Sequence, residues 1–454
     1  MRKRILALAL LACSGIGAGA ARARDPDALP AAIRGGDAEA VKAALATHAD
    51  PNARLAFGAT PLGWAVQTQD AAIVAALLAR GAKANVADDE GETPLALACE
   101  LGGAGIVAQL LDAHADVRTA LPDGATPLAI CARYGPAEAV ARMLAQGAVA
   151  DSVDGRGQTP LMWAAASGRT EAIALLVKAG ADVNRVSKGG FTPLFFAIKS
   201  GVPAAAEALL AGGAKADYRG PENTSAAQLA AYQKNYAIAA VLVTRGADLG
   251  ERDREGRQLL HIAAESGDAA LVNALLARGA EVNALTGPSS IKWVTEANFG
   301  RPPPIVPPTP PLLLAAAKGH MDVMKLLLAR GADPRFVAAD GTNVVLAAAQ
   351  GGSAQALELA LSLAPDANVA TADGVTALHM LVGGGMQPEL PAMLRLLAAH
   401  GARTDLKEKH GFTAAKLADG GLSDVKAIFF EVFPAKAGEK PADAQKKPVR
   451  IATR

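Results

Sequence analysis

The triplet Thr60-Pro61-Leu62 returns as Thr93-Pro94-Leu95, Thr126-Pro127-Leu128, Thr159-Pro160-Leu161 and Thr192-Pro193-Leu194, each 33 residues after the last. The frame continues through Ser225, Gln258, Pro310, Asn343, Thr376 and Thr413, and runs back to Asp27, which makes twelve repeats with degenerate first and last members. Each recurring residue has a physical task. A threonine hydroxyl caps the first turn of a helix, and proline at the next position loses nothing by lacking an N–H. The alanine pairs Ala164-Ala165 and Ala263-Ala264 let neighbouring first helices approach closely, while Leu175-Leu176 and Leu327-Leu328 give the second helices an apolar stripe. Gly81, Gly147, Gly180, Gly213, Gly246, Gly279, Gly331 and Gly401 fit left-handed caps. Helices of about eight to ten residues are marginal alone, so the repeats must stack to bury their faces.

Thr376-Ala377-Leu378-His379, the alanine pairs, Gly168 and Gly319 before the second helix, and the ending Gly180-Ala181-Asp182-Val183-Asn184 resemble the ankyrin repeat family over residues 27 to about 433. The resemblance implies an all-α solenoid of about twelve stacked helix-turn-helix units with short hairpin-like fingers. It also implies a class of activity, the binding of another protein through the fingers and the inner helices, without naming the partner. On this reading the repeats occupy 24–283 and 310–433, a proline-rich insertion occupies 284–309, and 434–454 is a disordered basic tail.

The departures from the pattern are informative. Between Gln258 and Pro310 the spacing is 52, so 19 residues are added, and they fall after Asn283 in one finger. Between Thr376 and Thr413 it is 37, with Gly383-Gly384-Gly385 and Pro388 suggesting an expanded turn between two helices. Gln258 lacks a good cap. The seventh repeat, with Ala226 for proline and Lys234 for glycine, reads as the weakest internal link.

Hydrophobic residues make up 51% of the chain but aromatics only 4%, a composition suited to small, closely packed helices. The net charge of +1 points to neither nucleic acid nor an anionic membrane. Met1-Arg2-Lys3-Arg4, the apolar run Ile5 to Ala12, and Ala21-Arg22-Ala23 have the form of a signal peptide, 1–23, cleaved after Ala23. The expected location is therefore periplasmic or secreted, and the likeness is to an exported bacterial member of the family. The alternative, from Leu10-Leu11-Ala12-Cys13, is a lipoprotein anchored through Cys13. No later apolar run is long enough to span a bilayer.

Catalytic chemistry is not legible. There is no His-Glu-x-x-His, Cys-x-x-Cys, Gly-x-Ser-x-Gly or phosphate-cradling glycine loop, so no catalytic residue, metal or cofactor is expected. His261 and His379 stand at the Thr-Pro-Leu-His position, which the resemblance makes structural. His320 follows the interhelical glycine, His48, His114 and His400 lie at or beside the second-helix cap, and His410 is left over. Cys99 and Cys131 replace alanines of the pair in consecutive repeats. With helices about 8 to 10 Å apart, the expectation is two buried, free thiols.

The exposed positions of such repeats lie just before the threonine and just after the alanine pair. Early repeats offer Phe57, Asp89, Glu90, Glu92 and Glu100; later ones offer Arg133, Tyr134, Arg156, Lys188, Phe191, Lys199, Arg219, Tyr232, Arg252, Arg254 and Arg257, so the binding face should change sign along the chain. Aromatic and arginine side chains are the types enriched at binding hot spots. Trp293 and Phe299 give the insertion an apolar character that a neutral spacer would lack. The leading reading is an exported, non-enzymatic interaction scaffold. The alternative is a periplasmic accessory or immunity protein that inhibits or protects one enzyme.

Overall fold

The computed structural model describes residues 27–289 and 307–434. The leader, Cys13, most of the C-terminal tail, Trp293 and Phe299 lie outside them. The chain divides into two compact units, 1–155 and 156–454. Among the described residues there are 24 α-helices in twelve pairs, and β pairing is limited to three isolated bridges inside fingers, such as Arg219 with Ser225. The first unit holds Ala28–Arg34 with Ala38–Ala46, Pro61–Gln67 with Ala71–Ala79, Pro94–Leu101 with Ala104–Asp112, and Pro127–Tyr134 with Ala137–Ala145. The second holds eight pairs, from Pro160–Ala166 with Thr170–Lys178 to Ala414–Gly420 with Ser423–Val432. In each unit first helices pack on first helices and second on second, giving two layers of α-helix.

The sequence signals act as physical chemistry assigns them. Thr60, Thr93, Thr126 and Thr159 each accept the backbone N–H three residues on, at 3.1 to 3.3 Å, with proline at the first helical position. Such a cap stabilises by about 1 kcal/mol. All eight expected cap glycines have φ between 73° and 98°. Gln258 is better served than its side chain suggests, because its N–H donates to His261 Nδ1 at 3.1 Å. In the seventh repeat Ser225 caps Gln228, but Lys234 is held at φ 57° where most repeats have glycine. An L-residue pays about 1–2 kcal/mol for that conformation, partly offset by the greater freedom glycine has when unfolded. Lys234→Gly is therefore expected to raise stability by about 0.5–1 kcal/mol in urea denaturation.

The fingers share one closing hydrogen bond, from the N–H five residues before the threonine position to the carbonyl one before it. It joins Asp88 to Glu92, Leu121 to Ala125, Ser187 to Phe191 and Asp253 to Arg257 at 2.9 to 3.1 Å. Thr286 N–H donates to Thr309 carbonyl at 3.1 Å, which is this same bond in the ninth repeat. Gly287 N–H reaches Gly256 carbonyl at 2.7 Å, as Lys188 reaches Arg156 at 3.0 Å. The described residues on either side of the added segment thus keep the ordinary finger closure, from Thr286 to Thr309. Asn283 confirms the register: its Nδ2 donates to Gly331 carbonyl at 3.0 Å and its Oδ1 accepts Asp333 N–H at 2.9 Å. Asn184 makes the same pair to Gly213 and Lys215 without any insertion. The other departure is also where the sequence places it, with residues 384–389 separating Ala377–Gly383 from Leu390–Ala399.

The cysteines correct an expectation. Cys99 and Cys131 are fully buried and joined by a disulfide, with Cα atoms 4.6 Å apart. The spacing of 8 to 10 Å applies to helix axes. Each Cα lies about 2.3 Å from its axis, so residues on facing sides come within disulfide reach. Gly135 leaves the room required, since a Cβ there would stand 2.7 Å from Cys131 Sγ.

Candidate binding surface

The positions expected to face a partner are occupied in different ways. Phe57 is 87% exposed at a finger tip, with φ 59°. Its ring is turned to solvent and takes no part in the core, and the same left-handed turn recurs at Glu222, three residues before the capping Ser225 of the seventh repeat. Tyr134 is 44% exposed, and the Arg133 guanidinium stacks 4.9 Å from its ring centroid. Of the acidic group, Asp89, Glu90 and Glu100 are exposed but Glu92 is buried, its N–H accepted by Asp88 within the finger. In the second unit Arg156, Lys188 and Lys199 are exposed. On this side the first unit combines Asp89, Glu90 and Glu100 with Arg133, and the second combines Arg156, Lys188 and Lys199 with Glu222, Glu251 and Glu255, so the sign does not divide between the units.

The sixth repeat carries an aromatic cluster. Phe191, on the finger, lies 6.1 Å from buried Phe195 and 6.2 Å from half-buried Phe196, ring centroid to centroid. Phe195 meets Tyr218 edge-on at 5.9 Å, and the Tyr218 hydroxyl donates to Gly190 carbonyl at 3.0 Å.

In the seventh and eighth repeats the basic residues are mostly engaged with one another's fingers. Arg219 pairs with Glu251, and Arg254 with Glu222. Arg252 Nη1 donates to the carbonyls of Gly256 and Leu285, both at 2.8 Å. Arg257 contacts Asp253 at 3.0 Å, Glu255 at 3.0 Å and Glu265 at 2.9 Å. Burial works against its charge, but the three carboxylates outweigh it and raise its pKa. Arg219, Arg252 and Arg254 border a cleft of about 770 Å³ that also exposes Tyr232. Burial, reinforced by the Asp253 carboxylate, pushes the Tyr232 phenol up, so it stays a neutral hydrogen-bond donor. The arrangement brings Tyr232 and Arg254 together, while committing Arg219, Arg252 and Arg257 to holding fingers.

One set of residues was missed by the sequence reading. The position four after the threonine is half-buried in Trp64, Trp163, Phe196, Leu229, Ile262, Leu314, Met380 and Leu417, and buried in Leu97, Ile130 and Ala347. Its signal was in plain view, an apolar residue between the first leucine and the alanine pair in repeat after repeat.

The histidines at the motif position are structural. His379 Nδ1 lies 3.2 Å from the Thr376 N–H, which donates to it, and its Nε2 is 3.1 Å from the carbonyl of Phe412 in the next finger. His261 bonds Ala284 carbonyl at 2.9 Å, and burial pushes its pKa down to about 4. Among the described residues no group of three His, Cys, Asp or Glu side chains could hold a metal, and no helix is long and apolar enough to cross a membrane.

A family model described as ankyrin repeats (3 copies) matches residues 29–120, 104–187, 128–220, 194–286 and 312–408. Comparison with curated proteins finds no match. Among solved structures, the chain is similar to the ankyrin repeat domain of human ASB11, with 27% identity and a TM-score of 0.44 over 48% of this chain and 98% of that one. The family matches cover most of the helix pairs described above, and the chain belongs to the ankyrin repeat family, whose members are generally non-enzymatic binding scaffolds.

Proposed function

We propose that this protein is an exported scaffold that binds a protein partner through its fingers and inner helices and performs no catalysis of its own. The observation that carries the reading is Phe57, an aromatic side chain left 87% exposed in a left-handed conformation at a finger tip. Tyr134 and Tyr232, partly exposed at the ends of first helices, and Phe191, partly exposed on a finger, support it. Export is supported by the Cys99–Cys131 disulfide, which persists in an oxidising compartment and is rare in a reducing cytosol. The leader and its cleavage after Ala23 remain part of this proposal.

The insertion serves as an added contact element, on the strength of its apolar residues Trp293 and Phe299. Replacing 288–308 by Asp-Gly would restore the spacing of 33 and leave the Asn283 bridge untouched. Shortening a closed loop by this much is expected to raise stability by about 1–2 kcal/mol. Affinity capture of the mature chain from its own periplasm, read by mass spectrometry, should recover a partner with the natural chain and lose it with Phe57→Ala or the shortened finger. Loss of stability in the shortened chain would show instead that the segment supports neighbouring repeats. Capture that survives both changes would overturn the assignment of these contacts.

A further inference from the structure

We infer that the cleft between the fingers of the seventh and eighth repeats is a binding site for an uncharged oligosaccharide. This goes beyond the protein-binding reading, which keeps Phe57, Tyr134 and Phe191 whatever becomes of the cleft. Three observations carry it.

The first is a rigid frame. The two fingers are tied reciprocally, Arg219 of the seventh to Glu251 of the eighth and Glu222 of the seventh to Arg254 of the eighth. Gln228, on the first helix of the seventh repeat, donates from Nε2 to Arg252 carbonyl at 2.9 Å, which fixes that helix to the eighth finger. The space they border is about 770 Å³, within the range of about 300–1,000 Å³ usual for ligand sites. A site already formed before its ligand arrives loses little freedom on binding.

The second is charge. Four carboxylates line the cleft, and its three arginines with the adjoining Arg257 balance them. Each of these guanidiniums meets a carboxylate or a main-chain carbonyl. A charged ligand would have to break such a pair and leave one partner uncompensated, whereas an uncharged ligand leaves them all intact.

The third is the set of groups turned to the cleft without a charge. Tyr232 is 46% exposed at the end of the helix Ala226–Tyr232, and its phenol can both donate and accept. Gln233 and Asn223 also line the cleft and are exposed, and each brings a side-chain amide. Among the lining residues the apolar bodies are the Tyr232 ring and Leu229. Two such groups do not make the apolar pocket that holds a peptide's anchoring side chain. They suit a sugar, whose C–H face lies on an aromatic ring while its rim of hydroxyls, each a donor and an acceptor, meets the amides.

The test titrates the full chain with maltohexaose, cellohexaose, chitohexaose and the anionic hexagalacturonate by isothermal calorimetry. At least one of the three uncharged sugars should bind, and more tightly than hexagalacturonate. Its affinity should change by less than about twofold between about 50 and 500 mM sodium chloride, because no ion pair is made or broken. Tyr232→Ala should weaken it about tenfold or more and Gln233→Ala about fivefold. Glu171→Ala, on the second-layer helix Thr170–Lys178, should leave it unchanged. Gln233 is exposed, so its variant tests the cleft even if Tyr232→Ala disturbs the end of the helix. No binding by any uncharged sugar, or binding that both cleft variants leave intact, would overturn the inference. Tighter binding of hexagalacturonate, removed by salt, would overturn it in favour of an anion. Peptides enriched from a random phage library that lose binding with Tyr232→Ala, where no sugar binds, would give the cleft to a protein segment instead.

Discussion

Replacing Cys99 and Cys131 together by alanine is expected to lower the stability of the first compact unit by about 3–4 kcal/mol, from the loop entropy that a crosslink of this span removes from the unfolded chain. The two cysteines are 32 residues apart in sequence and join adjacent inner helices. Alanine is the proper replacement because the equivalent seam of the fifth and sixth repeats is formed by Ala165 and Ala197, both fully buried. Packing is thus nearly conserved and the crosslink alone is lost. Denaturant titration of the two proteins should show the difference under oxidising conditions, and dithiothreitol in the unfolded baseline should erase it. Thiol labelling under denaturing, non-reducing conditions should leave both cysteines unmodified. Equal midpoints in oxidising buffer, or two labelled thiols, would overturn the assignment.

A second large effect is expected on acidification. His261 is fully buried, and burial holds its pKa at about 4 against 6.5 for an exposed imidazole, even though the Ala284 carbonyl acts in the other direction. Below pH 6.5 the unfolded chain takes up a proton that the folded chain refuses, so stability falls as the pH is lowered toward 4. The loss from this one residue reaches about 3 kcal/mol by pH 4 and does not grow below it. Its consequence is local to the seam at which the long finger leaves the eighth repeat, because Ala284 lies two residues before the finger's base at Thr286. Urea titrations at pH 7, 5.5 and 4 should show a steeper decline for the natural chain than for His261→Gln. Parallel declines in the two proteins would show that His261 is not the group responsible.

The architecture was legible because it is written many times. Thr-Pro starts, alanine pairs and cap glycines at one spacing specify helix pairs by local physics, and even a 19-residue addition could be assigned to a single finger by subtraction. What subtraction could not provide was the closure that this finger keeps, through the Thr286–Thr309 and Gly287–Gly256 hydrogen bonds. The disulfide was missed by comparing an axial spacing with a Cα limit. The register held the answer: Cys99 is the second residue of its pair and Cys131 the first of the next, the two positions that face across a seam.

The surface was less legible for a different reason. A single sequence shows which residues reach a face but not which of them find one another there. Arg219 and Glu251 are 32 residues apart, and nothing local marks them as partners. Arginine at a finger can equally serve the finger itself, as Arg54 does by donating to Gly58 and Ala87 carbonyls. Aromatic residues were easier to place, since Phe57, Tyr134 and Tyr232 have no burial to gain at repeat edges and stay exposed. The half-buried Trp64, Trp163 and Phe196 were overlooked because their motif position looks structural.

Site-specific photo-cross-linking tests the binding claim most directly. The photoreactive residue p-benzoylphenylalanine is placed at Tyr134 or Phe191 on the proposed contact side, or at Glu171, exposed on the second-layer helix Thr170–Lys178, and each chain is irradiated in the cells that make it. One discrete protein adduct is expected from Tyr134 or Phe191 and none from Glu171. Adducts from Glu171 alone, or from none of the three, would contradict it.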